Sequence, residues 1–276
     1  MVLFPNCKIN IGLNITSKRA DGYHNIATVF YPINWHDAVE MISLPDNNAL
    51  STSPNFTQSG LSIPGKEADN ICLKAYQILK KDFPGIPPVK MHLHKTIPTG
   101  AGLGGGSANG AFTLLLMNKK FNLNLTAEQL TAYALKLGSD CPFFMINAPC
   151  YATGRGEQTE SLPLDLSVYS FLIVHPGIHI QTAWAFSKLK PAQPSKPLKS
   201  IIQQPVETWS HELVNDFEAP VFREYPQIEE VKKTLYANGA LYASLTGSGS
   251  AVYGIFSKNK APELKWGKDY TQKIIQ

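Results

Sequence analysis

The stretch Pro98–Ala111 reads Pro-Thr-Gly-Ala-Gly-Leu-Gly-Gly-Gly-Ser-Ala-Asn-Gly-Ala and is the most informative part of the chain. Five glycines lie between Gly100 and Gly106, so the backbone there can adopt positive φ angles and approach a ligand closely. Backbone N–H groups that lead into a helix near Ser107 form a concave anion site suited to phosphate. A mobile linker is the alternative. It fits poorly, because the apolar run Ala111–Met117 follows and flexible linkers usually lie between polar segments.

Two better-known phosphate loops can be compared with this one. No Lys-Ser or Lys-Thr pair follows the glycines, so the loop is not a Walker A motif. Gly100, Gly102 and Gly105 satisfy G-x-G-x-x-G, but Val89–His94 before them alternates like a half-exposed strand, whereas a dinucleotide fold begins with a strand buried on both faces. The expected acidic partner is also missing, because Glu128 lies in a capping box that opens a helix. The dinucleotide interpretation is therefore weak.

The composition is that of an ordinary globular protein. The 276 residues, 43% hydrophobic and 17% charged, suffice for one large or two modest domains. Lys and Arg exceed Asp and Glu by four (25 against 21), which suits an anionic small molecule but is no nucleic-acid signature. No apolar run approaches the ~20 residues of a membrane span, and no signal-peptide pattern is present. Four cysteines without disulfide or metal spacing predict reduced thiols in the cytoplasm.

Apolar periodicity and turn residues predict strands and helices without strict βαβ alternation, which indicates the α+β class. On the opening strand, the odd-numbered residues from Cys7 to Ile15 are predicted to share one face, with Lys8, Asn10 and Asn14 on the other. Loops are predicted over 45–65 and over the proline-rich segment 190–205. The predicted strands are 7–15, 26–33, 89–97, 150–152, 169–175 and a pair around the turn 247–250. The predicted helices are 70–83, 107–118, 127–137, 207–222 and 226–237.

The glycine loop resembles the second motif of the GHMP superfamily, the small-molecule kinases named for galactokinase, homoserine kinase, mevalonate kinase and phosphomevalonate kinase. Leu245–Val252 is similar to the third motif of that superfamily. Within it, Lys8–Leu13, Arg19–His24 and Gly138–Phe144 are similar to the members that act on a cytidine-diphosphate derivative of methylerythritol. The resemblance implies an α+β, two-domain small-molecule kinase fold with the active site in the cleft between domains. An ATP-binding domain would span 1–150 and a substrate-side domain 151–276.

The resemblance also implies two catalytic residues, Asp140 and Lys8. Asp140 would orient and deprotonate the substrate hydroxyl, while Lys8 would keep that carboxylate ionised and offset charge on the transferring phosphoryl group. From the local sequence alone, Asp140 is better explained as a helix N-cap before Pro142, and Lys8 as a solvated strand lysine. Cys141 adjoins Asp140, so its alkylation is expected to lower activity by crowding. Asp216 is expected to have a structural role.

Ligand contacts follow from the same resemblance. Tyr23 and Phe186 would stack on the cytosine ring and supply affinity, while His24 would select it through hydrogen bonds to the ring edge. Ala108 departs from the family, where a second serine is common. His92 and His94 are interpreted as surface residues, and no protein ligand to a metal is assigned. ATP, carrying Mg²⁺, would contact Pro98, Gly100, Gly102, Leu103, Gly104, Gly105, Gly106 and Ser107. The substrate would contact Asn10, Tyr23, His24, Thr182 and Phe186.

The implied activity is ATP-dependent phosphorylation of the 2-hydroxyl of that cytidine-diphosphate compound, a step of the non-mevalonate route to isoprenoid precursors. The protein is expected to be a cytoplasmic monomer or homodimer that binds neither nucleic acid nor membrane. Three alternatives stay open: a GHMP kinase for another substrate such as homoserine or mevalonate, a nicotinamide-binding oxidoreductase, and a non-catalytic basic module that binds nucleic acid. A nucleic-acid-binding module would bind oligonucleotides with an affinity that falls steeply as the salt concentration rises.

Overall fold

The computed structural model describes residues 1–44 and 54–276, and over these residues it has the mixed strand and helix content of the α+β class. Within the described residues, the 3₁₀ helices Glu67–Asp69 and Val206–His211 accompany the elements below. The strands are β1 (Val2–Leu3), β2 (Asn6–Lys18), β3 (His24–His36), β4 (Ala38–Ser43), β5 (Asn55–Gly60), β6 (Val89–Lys95), β7 (Cys150–Thr153), β8 (Gln158–Ser161), β9 (Tyr169–His175), β10 (Tyr242–Leu245), β11 (Val252–Ser257) and β12 (Thr271–Ile275). The helices are α1 (Ile71–Asp82), α2 (Gly105–Lys120), α3 (Ala127–Leu137), α4 (Phe143–Ile146), α5 (Thr182–Ser187), α6 (Leu198–Ile201), α7 (Glu218–Glu224) and α8 (Pro226–Ala237).

The first of two compact units consists of residues 1–7, 34–99 and 104–147. Its sheet has the strand order β1-β4-β6-β5, with β5 parallel to β6 and the other pairs antiparallel. Strand β6 alternates as predicted. Its odd-numbered side chains are buried, while His92 and His94 face the surface and hydrogen-bond to Thr57 and Ser59 of β5. Helices α1, α2 and α3 pack on one another in the same unit.

Local capping signals predicted two helix starts of this unit correctly. The Asn70 side chain accepts a hydrogen bond from the Cys72 N–H at 2.9 Å and caps α1. Thr126 and Gln129 form the reciprocal capping box that opens α3. Both arrangements satisfy N–H groups that the first turn of a helix cannot pair internally.

The second unit consists of residues 8–33, 100–103 and 148–276. It contains two four-stranded sheets, with the orders β2-β3-β7-β8 and β10-β11-β9-β12. Helix α8 packs on β10 and β11, and its predicted stripe Ile228, Val231 and Leu235 is buried in their core. Each unit uses more than one segment of chain, and the last passage between them falls at 147–148. The functional division into 1–150 and 151–276 stays a prediction.

The helix predicted over 207–222 is wrong. The chain forms the 3₁₀ helix Val206–His211 and then α7, and 213–216 between them run alongside β2 instead. There the Val214 carbonyl accepts from the Leu13 N–H and the Asp216 carboxylate accepts from the Ile15 N–H, at 2.9 and 2.7 Å. These long-range bonds outweigh local helix propensity. They also give Asp216 the structural role expected for it.

Both predicted loops need correction. Residues 45–53 of the first lie outside the described residues, but Asn55–Gly60 form β5. The proline-rich segment 190–205 contains the one-turn helix α6. In the part of the chain that the structure describes, no helix is long and apolar enough to cross a membrane.

Candidate active site

The N-terminus of α2 carries the second half of the glycine loop. Gly104 adopts a left-handed conformation (φ 67°) at the N-cap, and the first intrahelical bond runs from the Ala108 N–H to its carbonyl at 2.9 Å. The N–H groups of Gly105, Gly106 and Ser107 therefore lie outside the helical ladder, at the positive end of the helix dipole. This is the arrangement that binds phosphate at a helix N-terminus. The sequence predicted the helix start to within two residues.

Two further glycines of this helix have distinct packing roles. A Cβ on Gly106 would meet no atom within 4 Å, so this residue faces open space. A Cβ on Gly110 would lie 2.7 Å from Cγ1 of Ile71, so its glycine lets α1 and α2 approach closely. Ala108, where the family commonly has serine, is fully buried.

The first half of the loop, Gly100–Leu103, packs against the turn that follows β10. Gly102 has φ +78°, and a Cβ there would lie 2.0 Å from the Thr246 carbonyl oxygen. The Thr246 hydroxyl in turn donates to the Gly102 carbonyl at 3.1 Å. Gly247, with φ +57°, also lies close to Gly102, since its Cβ would be 3.2 Å from the Gly102 Cα. The second and third superfamily motifs thus contact each other.

Leu103 and Pro98 are buried, unlike the exposed Gly100. The Leu103 side chain is fully buried, and its carbonyl accepts a hydrogen bond from the Lys8 N–H at 2.9 Å. Leu103 therefore fixes the position of Lys8 through its main chain. A Cβ on Gly100 would lie 2.7 Å from Nδ1 of His179, so this glycine also permits a close approach.

Lys8 is only 3% exposed, so the solvated alternative is wrong. Its ammonium donates to Oδ1 of Asn10 at 2.5 Å and lies 4.8 Å from the centre of the Phe30 ring. The Asn10 amide nitrogen donates to the Thr28 hydroxyl at 3.0 Å, which fixes the side chain that holds Lys8. Lysine side chains are rarely buried to this extent, and a buried ammonium points to a specific role for Lys8.

The strand that carries Lys8 and Asn10 changes register at Gly12. The N–H groups of Lys8 and Asn10 bond to the Leu103 carbonyl and the Thr246 hydroxyl, whereas beyond Gly12 the odd-numbered Leu13 and Ile15 make the corresponding bonds. Gly12 has φ +66°, and a change of parity at such a glycine is the pattern of a β-bulge. The alternation predicted from Cys7 through Ile15 is therefore interrupted.

Asp140 lies in the turn before α4, in the same unit as Ser107. Helix α4 begins at Phe143 with Pro142 in the N-cap position, so Asp140 lies two residues before the cap rather than at it. Burial raises the pKa of Cys141 to about 12; a hydrogen bond with Ser107 opposes this and the charge of Asp140 adds to it. The Cys141 side chain is fully buried, and its sulfur is near enough to both the loop serine and the Asp140 carboxylate to be influenced by each.

The aromatic residues predicted to hold a base are only partly arranged as expected. His24 stacks on Phe186, with ring centres 4.9 Å apart and planes at 19°, and Phe186 meets Phe217 edge-on at 4.9 Å. Tyr23 is 57% exposed, with the Arg155 guanidinium 5.1 Å from its ring centre. Burial, with a smaller effect of Lys18, lowers the pKa of His24. A neutral imidazole can donate at one ring nitrogen and accept at the other.

Thr182 is the first residue of α5, four positions before Phe186 on the same helix. Its hydroxyl lies 3.4 Å from that of Ser248, in the turn that packs on the glycine loop. This contact connects the helix that presents Phe186 with the third superfamily motif.

A cavity of about 340 Å³ in the first unit was not predicted from the sequence. Gly106 and Asn109 of α2 line one side of it, and the segment that precedes α1 lines the other. The Pro64-Gly65 turn was the available signal, but it lay inside a segment assigned to a loop. The remaining lining residues are Gln58, Ile63, Pro64, Gly65, Lys66, Glu67, Asp69, Asn70, Ile71, Leu93, Lys95 and Thr99.

Comparison with known proteins identifies the family. The model of the GHMP kinase N-terminal domain matches residues 70–147, and that of the C-terminal domain matches residues 199–265. The chain belongs to the GHMP kinase family and is accordingly a phosphotransferase that acts on an alcohol group. The nicotinamide and nucleic-acid alternatives are therefore wrong.

Individual relatives show which members of the family this chain resembles in sequence and structure. The chain is 50% identical to a 4-diphosphocytidyl-2-C-methyl-D-erythritol kinase from Bacteroides fragilis, over 93% of this chain and 92% of that protein. A solved structure of 4-(cytidine 5′-diphospho)-2C-methyl-D-erythritol kinase superposes with a TM-score of 0.78 at 28% identity, covering 92% and 90% of the two chains. A mevalonate kinase structure shares the fold at only 15% identity, with a TM-score of 0.69 and coverage of 95% and 93%.

Proposed function

We propose that this chain transfers the γ-phosphoryl group of ATP to the 2-hydroxyl of 4-diphosphocytidyl-2-C-methyl-D-erythritol. The observation that carries this proposal is the 50% identity, over nearly the whole chain, to a kinase named for that substrate. In the reaction, the hydroxyl oxygen bonds to the γ-phosphorus, the bond from that phosphorus to the β–γ bridging oxygen breaks, and the hydroxyl proton is taken up by a base. ADP and a phosphomonoester result.

The glycine loop and the cavity beside it are proposed to bind ATP. The N–H groups of Gly105, Gly106 and Ser107 would face the phosphates. The cavity of about 340 Å³, which Gly106 also lines, has room for the adenine base. Its walls include apolar side chains such as Ile63 and Leu93.

Magnesium would reach the site with the nucleotide. Among the described residues, no group of three acidic, histidine or cysteine side chains could hold a metal ion. Mg²⁺ that arrives with a nucleotide is usually bound by phosphates and water, with at most one or two protein oxygens. The Ser107 hydroxyl is the protein ligand we propose. The bound metal would offset negative charge on the phosphates.

Asp140 is proposed to orient the substrate hydroxyl and to accept its proton, and Lys8 to stabilise negative charge on the transferring group. Two observations support these roles. Asp140 lies in the turn before α4, whose N-cap is Pro142, and Lys8 is buried with its ammonium held by Asn10. Because Asn10 is bonded to both Lys8 and Thr28, its main contribution would be to fix Lys8, with one amide N–H left for a substrate oxygen.

The cytosine ring is proposed to bind at Phe186 and His24. Their stacked rings form a ready aromatic face, and the lowered pKa of His24 favours the neutral imidazole that can pair with the edge of a base. The Tyr23 ring is exposed, so it can close over the other face of the cytosine when the substrate binds. Thr182 would contact the diphosphate side of the substrate.

Four free, buried thiols suit a reducing compartment, so we place the enzyme in the cytoplasm. We propose that it acts there as a monomer or homodimer on a small-molecule substrate.

A substrate panel tests the proposed function. ADP release by the purified protein with MgATP is measured with three acceptors: the cytidine-diphosphate methylerythritol, homoserine and mevalonate. We expect turnover with the first alone, because only it offers a base for the His24–Phe186 face. Faster turnover with either of the other acceptors would overturn the substrate assignment while leaving the family assignment intact.

A further inference from the structure

Asp37 is a buried carboxylate to which the sequence assigned no role. It lies between β3 and β4, is 1% exposed and accepts four hydrogen bonds. We call the five residues joined in this way the Asp37 network: Asp37, Lys95, Thr96, Ile97 and Asn109. All of them belong to the first unit.

One oxygen of Asp37 holds the main chain that leads into the glycine loop. Oδ1 accepts from the Thr96 N–H at 2.7 Å and from the Ile97 N–H at 2.9 Å, directly before Pro98. The Thr96 hydroxyl also donates to the His36 carbonyl at 2.5 Å, so the chain is tied to the end of β3 at a second point. These bonds fix where the backbone leaves β6.

The other oxygen holds the helix into which the loop leads. Oδ2 accepts from the Asn109 amide at 2.8 Å, and Asn109 lies in the second turn of α2. Oδ2 also accepts from the Lys95 ammonium, whose side chain is 1% exposed. A Cβ on Gly105 would lie 3.0 Å from that ammonium, so Lys95 packs directly beneath the first residue of the helix.

The geometry points to Asp37 as the positioning residue for the phosphate loop, since one carboxylate ties together the chain before the loop and the helix after it. This inference rests on the proposed ATP-binding function. Asp37 itself does not contact the nucleotide. It acts by holding the N–H groups of Gly105, Gly106 and Ser107 in place, and a helix N-terminus binds phosphate well only when those groups are already fixed.

The Asp37→Asn substitution tests this role. The amide keeps one acceptor oxygen but presents an NH₂ group to donors that the carboxylate satisfied. A displaced loop should weaken ATP binding about tenfold or more, the scale expected when a buried hydrogen-bond network is broken. Adenosine has the same base but no phosphates, so its affinity should change by less than about threefold. Both affinities are measured by calorimetry.

Three further variants separate positioning from mere stability. Leu79→Ala removes a fully buried side chain of α1 that is no part of the network, so it should lower the melting temperature without changing the ratio of ATP to adenosine affinity. Asn109→Ala removes the bond between Asp37 and the helix. It also alters the wall of the adenine cavity, which affects ATP and adenosine alike, so the ratio of the two affinities should still fall, by a smaller factor. This variant carries the test if Asp37→Asn fails to fold. Asp37→Asn combined with Lys95→Met removes the unpaired charge but should leave ATP binding weak, because the one remaining acceptor oxygen cannot hold both the Thr96–Ile97 main chain and the Asn109 amide.

The possible outcomes are distinct. Selective loss of ATP affinity in Asp37→Asn or Asn109→Ala, with the ratio retained in Leu79→Ala, supports the assignment. The assignment is overturned if Asp37→Asn changes the affinities for ATP and adenosine equally or changes neither. It is also overturned if the double variant fully recovers its affinity for ATP. If the wild-type protein binds no ATP, the proposed function itself has failed.

Discussion

Replacing two glycines of the same loop by alanine is expected to change the free energy of unfolding in opposite directions. Gly102 has φ +78°, and its added Cβ would lie 2.0 Å from the Thr246 carbonyl oxygen and 2.9 Å from the carbonyl carbon. Both atoms belong to the main chain, so neither can rotate away. Gly106 lies in the first turn of α2, and its added Cβ would meet nothing within 4 Å.

The magnitudes follow from these contacts. A left-handed backbone costs a residue with a Cβ about 1–2 kcal/mol, and overpacking adds about 1–3 kcal/mol. Gly102→Ala should therefore destabilise the protein by about 2–5 kcal/mol, which lowers the melting temperature of a chain of this size by at least about 4 °C. Gly106→Ala should stabilise it by up to about 1 kcal/mol, because alanine favours helix more than glycine does.

Thermal unfolding followed by circular dichroism measures both variants against the wild type. The KM for ATP is measured in parallel, and it should rise in Gly106→Ala, since the added methyl group projects into the space proposed for the nucleotide. A melting temperature for Gly102→Ala equal to that of the wild type would refute the close approach of the loop and the Thr246 turn.

Three other predictions concern the remaining site residues. Cys141 is fully buried and its pKa is raised to about 12, so iodoacetamide at pH 8 should label it far more slowly in the folded protein than in urea; rapid labelling, followed by mass spectrometry, would contradict that burial. Because the pKa of His24 is lowered, the folded protein protonates it less readily than the unfolded chain, and its contribution to stability and base recognition is present above about pH 6.5. The KM for the cytidine substrate should therefore rise as the pH falls below that value, and a His24→Gln variant should lack this rise; an unchanged pH profile in the variant would refute the role of His24. Phe186→Ala should raise the KM for the cytidine substrate by about 5- to 150-fold, the equivalent of ~1–3 kcal/mol of stacking, and leave the KM for ATP unchanged; equal changes in both KM values would indicate a general structural effect.

Features that depend on local sequence were predictable. The capping box of Thr126 and Gln129, the Asn70 cap and the glycine-rich start of α2 each use residues within a few positions of one another. Their hydrogen bonds join residues that are close together in sequence, so a single sequence is enough to indicate them.

Features that depend on residues far apart in the sequence could not be predicted. Asn215 donates to the carbonyls of Leu245 and Gly247, some thirty residues away, and these bonds hold the chain extended where a helix was predicted. Strand β5 was missed because it pairs parallel to β6 and its short polar sequence carries little alternation. Asp37 gave no local signal, since its donors lie 58 to 72 residues further along the chain.

The candidate site was predictable in its residue types and less so in their arrangement. The family resemblance supplied Lys8, Asp140 and Phe186, but the burial of Lys8 and the stacking of His24, rather than Tyr23, on Phe186 became visible only in the fold. Both depend on contacts between strands and helices that are distant in sequence.

Phosphorus NMR of the purified protein with MgATP and 4-diphosphocytidyl-2-C-methyl-D-erythritol tests the central claim most directly, with an Asp140→Asn variant alongside. We expect the wild type to produce a new phosphomonoester resonance together with ADP, and the folded, ATP-binding variant to produce almost none. A variant that forms the phosphomonoester at most of the wild-type rate would contradict the catalytic role of Asp140. A wild type that binds ATP but forms no phosphomonoester would contradict the proposed reaction.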